Sequence, residues 1–297
     1  MQRLAPVFII IAASLWALDG IVLRPSLFSL PVVVVVLIES AVVAVILTPF
    51  FLKRFAELKS LKPKDWIAFA GVAILGGAVG TMAITKALFY VNFVNLSIVI
   101  LIQKLQPVFA ISLAAVLLKE KLHKDFFIWA VIAITGAYFM TFGTNLPDFN
   151  SGDKTTIAAI FSLVAAISFS SSTVLSKRAL RNVEYRMGTY LRFLITSFVM
   201  LFIVLLTGEI NSAGAVTTNQ VYIFLIIAFS TGGTAIFLYY YGLKKITASV
   251  AAICELSFPL TAVILEYFVH GNILGVVQWI GAGVLLVSIL RISFLKN

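Results

Sequence analysis

The sequence predicts an all-α integral membrane protein whose ten transmembrane helices form two inverted five-helix repeats around a central cavity. Three observations predict it. Hydrophobic residues make up 61% of the 297 positions and charged residues 11%, against about a quarter charged in soluble domains, and mean hydropathy is +1.09. Apolar runs near the ~20 residues that a bilayer crossing requires recur from end to end, parted by short polar or basic breaks. Segments of the first half also lie over segments of the second at a nearly constant offset.

The elements follow in order, with boundaries good to several residues. Residues 5–23 begin basic and then apolar like a signal peptide, but the apolar part is long, carries Trp16 and Asp19, and lacks a small-x-small cleavage site, so they read as a retained first helix. Residues 31–52 and 66–88 are the next two apolar runs, separated by Lys53, Arg54, Lys59, Lys62 and Lys64. Residues 93–118 form span 4, interrupted by Pro107, and 126–143 form span 5. The second half repeats the scheme over 155–176, 187–206, 220–241, 248–269 (interrupted by Pro259) and 274–293.

Charge orients the chain, because Lys and Arg remain on the cytoplasmic side of short loops. With the amino terminus inside, that side holds seventeen basic residues and the opposite side only Arg24, Lys86 and Lys154; Lys104 and Arg192 fall within spans. Both termini are therefore expected in the cytoplasm. The net charge of +10 is a topology signal with some attraction for anionic headgroups of the lipid bilayer, and nucleic acid is excluded as a partner. A single cysteine, Cys254, excludes an internal disulfide, and no His/Cys cluster has metal-ligand spacing. No metal or other cofactor is called for.

An offset of 152 places residues 92–111 over 244–263, matching Pro107 to Pro259, Gln103 to Glu255 and Gly80 to Gly232; an offset of 153 matches Glu39 to Arg192. The repeats are read as residues 1–147 and 148–297. Because five crossings per repeat is odd, the second copy enters from the opposite face, an architecture common among secondary transporters.

Four segments, SLWALDG (14–20), QPVFAISLAAVLLKEKL (106–122), GLKKITASVAAICELSFPL (242–260) and QWIGAGVLLVS (278–288), resemble the drug/metabolite transporter superfamily, in its EamA branch of ten-helix carriers. The resemblance covers nearly the whole chain. It implies a carrier of small metabolites, a class spanning amino acids, nucleotide sugars and quaternary amines. Two positions depart from the family pattern: Glu39 stands where helix 2 often carries arginine, and Asn272 where a glutamate is expected after helix 9.

Asp19, Glu39, Lys104, Arg192 and Glu255 lie inside spans, where each charge costs about 2.5–3.5 kcal/mol at a helix centre. They must be paired, hydrated or neutralised, so a wet cavity between the halves is expected to take some of them. Glu255 is the leading candidate: Pro259 cannot donate to the carbonyl of Glu255, which leaves a free backbone oxygen beside a carboxylate, suited to an ammonium group or a proton. Lys104 and Gln103 hold the matching place in span 4, and Lys104 is read either as the partner of an acid or as a ligand for a substrate carboxylate. Glu39 and Arg192 are expected to form one buried pair. Asp19 is either an interfacial carboxylate or a cavity residue. Trp16 and a tyrosine of 239–241, taken as Tyr239, are expected to line the cavity, and Glu120 to answer its neighbouring lysines.

The expected function is secondary transport of an amino acid or other amine-bearing metabolite by alternating access, with proton coupling through Glu255 and dimerisation left open. No Walker loop, HExxH or nucleophile–base set is present, so ATP hydrolysis and intramembrane catalysis are not expected; a channel would show like-charged rings or a pore loop. Short loops and the lack of targeting signals fit a bacterial or archaeal inner membrane.

Overall fold

Backbone polar groups have no water to bond with in hydrocarbon, so a chain of this composition must satisfy them within helices. The computed structural model describes residues 4–52, 54, 58–59, 61–90, 99, 102–146, 153–270 and 275–294, and these form helices joined by short turns. Nine are long and apolar enough to cross a bilayer: α1 (Ala5–Leu27), α2 (Val32–Phe51), α3 (Pro63–Tyr90), α5 (Lys124–Phe142), α6 (Thr156–Ala179), α7 (Tyr185–Thr207), α8 (Thr218–Lys245), α9 (Ala248–Leu265) and α10 (Val276–Ser293). A shorter apolar helix, α4 (Gln106–Leu118), lies in span 4, of which residues 99 and 102–105 are also described. The expected start of that span, the repeat boundary at 147/148 and Asn272 lie outside the described residues, as do the side chains of Glu266 and His270.

Packing follows a pseudo-twofold pattern. Helix α1 packs on α8 and α9, just as α6 packs on α3 and α4, while α2 pairs with α7 and α5 with α10. Exchanging each helix with the one five places later leaves this set of contacts unchanged. Two inverted five-helix units therefore enclose the centre, and exposed apolar side chains such as Val45, Phe50, Leu206 and Phe268 face outward, where lipid would lie.

Four helices depart from α geometry. Wider π turns occupy Asp19–Leu23, Ala73–Val79, Ala114–Leu118 and Ala228–Gly232, and those in α3 and α8 fall at matching places in the two repeats. In both of these the carbonyl five residues back is taken by a threonine hydroxyl: Thr81 Oγ1 donates to Gly76 at 3.0 Å and Thr234 Oγ1 to Phe229 at 2.6 Å. Helix α1 thus runs on through its π turn and a 3-10 turn to Leu27, four residues past the expected end, which brings Arg24 into the bundle.

Without a hydrophobic drive between helices in lipid, close backbone approach decides which helices associate. The α5–α10 pair shows it: a Cβ on Gly281 would run into the amide nitrogen of Met140 and stand 2.8 Å from the carbonyl oxygen of Gly136. Gly281→Val should therefore lower folded yield and the thermal midpoint, by about 1–3 kcal/mol or more as overpacking. Gly283→Val, where an added Cβ meets nothing within 4 Å, should leave both near wild type. Equal midpoints for the two variants would show that the approach carries no weight.

Candidate functional site

A cavity of ≈ 320 Å³ lies between the repeats, walled by residues from both. Its floor is set by two helix breaks. In α9 the helical run of Ala248–Cys254 stops at Glu255–Leu256 and resumes at Ser257, two residues before Pro259; in span 4 a turn at Lys104–Leu105 precedes α4, with Pro107 at its second residue. Each proline removes a donor from the helical ladder, and the matched breaks turn side chains of both repeats toward the centre.

The carboxylate of Glu255 ties the breaks together. Its Oε1 accepts from the Tyr239 hydroxyl at 2.6 Å and its Oε2 from Gln106 Nε2 at 2.6 Å. Because the Tyr239 proton is committed to the carboxylate, the contact of 2.9 Å between Thr173 Oγ1 and Tyr239 Oη has Thr173 as donor. The Trp16 ring stands 5.3 Å from that of Tyr239, tilted by 52°, and gives the cavity an aromatic wall. The expected free carbonyl is not found: the oxygen of Glu255 accepts the amide of Phe258 at 2.9 Å, because the chain tightens into a three-residue turn ahead of Pro259.

Around the α4 break, Gln103 Nε2 donates to the Ser162 carbonyl at 2.8 Å, and Ser170 Oγ reaches the Gln106 carbonyl at 2.8 Å, fixing the break to α6. Lys104 is 4% exposed, lines the cavity, and its Nζ has no hydrogen-bond partner among the described residues.

A second charged group sits where α1 widens. Arg24 donates to Asp19 Oδ2 through Nε at 2.8 Å and Nη2 at 2.6 Å, to Thr85 Oγ1 through Nη1 at 3.0 Å, and stands 3.1 Å from Glu39 Oε1. Asp19 and Arg24 are each 8% exposed. This corrects one expectation, the Glu39–Arg192 pair, and decides between the two readings of Asp19. Glu39 pairs with Arg24 rather than Arg192, and Asp19 is buried rather than interfacial. The cause is the π turn, whose wider coil brings residues five apart in sequence side by side on α1.

Arg192 lines the same cavity but meets no carboxylate within ion-pair distance among the described residues. Its Nη1 donates to Tyr240 Oη at 3.4 Å and its guanidinium lies 5.9 Å from that ring's centre. All the expected cavity residues (Trp16, Asp19, Glu39, Gln103, Lys104, Arg192, Tyr239 and Glu255) therefore line one space. Sequence reasoning missed Arg24, Gln106 and Thr173. A buried Asp19 needs a base, and Arg24 five residues on was the available signal for the first; the other two are uncharged partners that only the fold brings in. Glu120 lies outside the cavity and differs from expectation: its carboxylate accepts the amides of Ala248 at 2.8 Å and Ser249 at 3.1 Å, capping α9 from the opposite repeat.

The EamA-like transporter family matches residues 3–142 and again 156–294. The chain is 44% identical over 287 residues to the riboflavin transporter ImpX of Fusobacterium nucleatum, covering 96% of both chains. It is 27% identical over 251 residues to an uncharacterised transporter of Synechocystis, covering 81% of this chain and 69% of that one. A crystal structure 15% identical in sequence superposes with a TM-score of 0.75 over 97% of this chain and 95% of its own, which speaks to fold alone.

Proposed function

The chain belongs to the EamA-like transporter family, and from that premise we propose that it carries riboflavin or a closely related flavin across the membrane by alternating access of its two repeats. It is a transporter of small molecules rather than an enzyme. The observation that carries the flavin assignment is the 44% identity to a riboflavin transporter over 96% of both chains. The site is compatible with it. A cavity of ≈ 320 Å³ falls in the range of small-molecule sites, about 300–1,000 Å³, and Trp16 and Tyr239 offer ring faces to a flat heterocycle. An amine-bearing substrate fits less well, since both oxygens of Glu255 are engaged by Tyr239 and Gln106, and Asp19 and Glu39 share Arg24.

On this reading the repeats are residues 1–147 and 148–297, both termini lie in the cytoplasm of a cell with the protein in its inner membrane, and Glu255 is the group that binds a coupling proton. Counterflow tests the substrate. Proteoliposomes loaded with unlabelled riboflavin should take up labelled riboflavin saturably and faster than empty ones, with tryptophan and choline failing to compete. Uptake driven by tryptophan or choline, with riboflavin inert, would overturn the flavin assignment.

A further inference from the structure

Lys104 places an amine at the break preceding α4, buried in the bundle, lining the cavity and lacking any hydrogen-bond partner among the described residues. Of the other cationic and amide donors on the cavity wall, three are engaged by close bonds and Arg192 by one long bond to a tyrosine. Arg24 serves Asp19, Glu39 and Thr85; Gln103 serves Ser162; Gln106 serves Glu255; Arg192 rests on Tyr240. A buried amine donor without an acceptor carries a desolvation cost that an incoming acceptor would relieve.

Internal symmetry argues against a purely structural role. The offset that superposes Pro107 on Pro259 places Lys104 on Leu256, a buried apolar residue in the equivalent break. A helix break of this kind therefore forms without a lysine, and the amine in the first repeat breaks the symmetry of the cavity at one point.

We propose that Lys104 is the specificity-determining donor of the cavity, and that its ammonium takes the accepting edge of the bound flavin ring, where a carbonyl adjoins an sp² nitrogen. The assignment rests on the flavin reading above. Among the groups on a flavin that edge offers the strongest neutral acceptors, whereas the side-chain hydroxyls both donate and accept and match the hydroxyl-bearing wall of α6, formed by Ser172, Thr173 and Ser176. Position and chemistry thus divide the ligand between the α4 break and α6.

Quenching of flavin fluorescence by the purified full-length protein tests this, with riboflavin and with lumiflavin, which keeps the ring but replaces the ribityl chain by methyl. Lys104→Met should weaken both ligands by a similar factor, about 10- to 100-fold, as expected for loss of a hydrogen bond from a charged donor, and Lys104→Arg should recover part of it. The Met side chain is similar in length and removes a buried amine, so the ligand-free melting temperature should equal or exceed that of wild type; Lys104→Gln is the alternative if it does not purify. Unchanged affinity in the variants, loss confined to riboflavin, or a wild type that holds riboflavin but not lumiflavin would each overturn the Lys104 assignment while leaving the flavin reading in place. A wild type that binds neither flavin removes both.

Discussion

Replacing Arg24 by Met should cost more stability than any other single substitution in the cavity wall, about 3–5 kcal/mol, because it strands two carboxylates in a buried site. Arg24 gives two bonds to Asp19, one to Thr85 and an ion-pair contact to Glu39, so it joins α1 to α2 and α3; Thr231 of α8 adds a longer bond of 3.4 Å to Asp19. Removing the guanidinium leaves the acids facing each other with no base in contact. The expected readout is a large fall in folded yield and in thermal midpoint. The triple variant Arg24→Met, Asp19→Asn, Glu39→Gln should recover most of the loss, since neutral amides can bond to one another and to Thr85. If Arg24→Met melts within a degree or two of wild type, the triad is not a structural unit.

Glu255→Ala should abolish transport. The carboxylate is the common acceptor for Tyr239 of α8 and Gln106 of α4, at 2.6 Å each, and its loss leaves the buried Tyr239 hydroxyl without that acceptor at about 1–3 kcal/mol and the half-buried Gln106 amide without its partner. Both donors line the cavity, so the wall beside Trp16 would lose its shape along with its charge. Glu255→Gln should behave differently. Its amide offers an oxygen to one neighbour, and the Gln106 amide can rotate to accept from the new NH₂ group, so the network closes without charge. Riboflavin counterflow should then persist while accumulation driven by a proton gradient disappears. Gradient-driven accumulation at the wild-type level in Glu255→Gln would remove Glu255 as the coupling group.

Much of this architecture was legible in the sequence, for physical reasons that also mark the limit. Apolar runs reveal spans because hydrocarbon enforces their length, and Pro107 and Pro259 reveal helix breaks because neither can donate to the ladder. Trp16, Lys104, Tyr239 and Glu255 were recoverable as cavity residues because polar groups within apolar runs need shelter, and they line the cavity. The pairing was not recoverable. Arg24 followed what looked like the end of span 1 and was counted with the loop, because hydropathy registers composition and is blind to a π turn that carries a helix onward. The match of Glu39 with Arg192 showed equivalent positions, yet equivalence under a pseudo-twofold does not require contact. Gln106 and Thr173 are ordinary polar residues whose importance comes from what α8 and α9 bring to them. The substrate was beyond composition altogether, and the amine expectation arose from reading Glu255 as a carboxylate beside a backbone carbonyl freed by Pro259.

On the flavin reading, the space between the repeats is wet and holds the substrate. Gly20 gives the most direct test, because it lines that space and an added Cβ there meets nothing within 4 Å. In a background with the sole native thiol removed by Cys254→Ala, Gly20→Cys should react readily with a charged, membrane-impermeant methanethiosulfonate reagent, and saturating riboflavin should slow the reaction several-fold. A thiol at position 20 that ignores the reagent, or reacts at the same rate with riboflavin present, would show that this space is closed to water or does not hold the substrate.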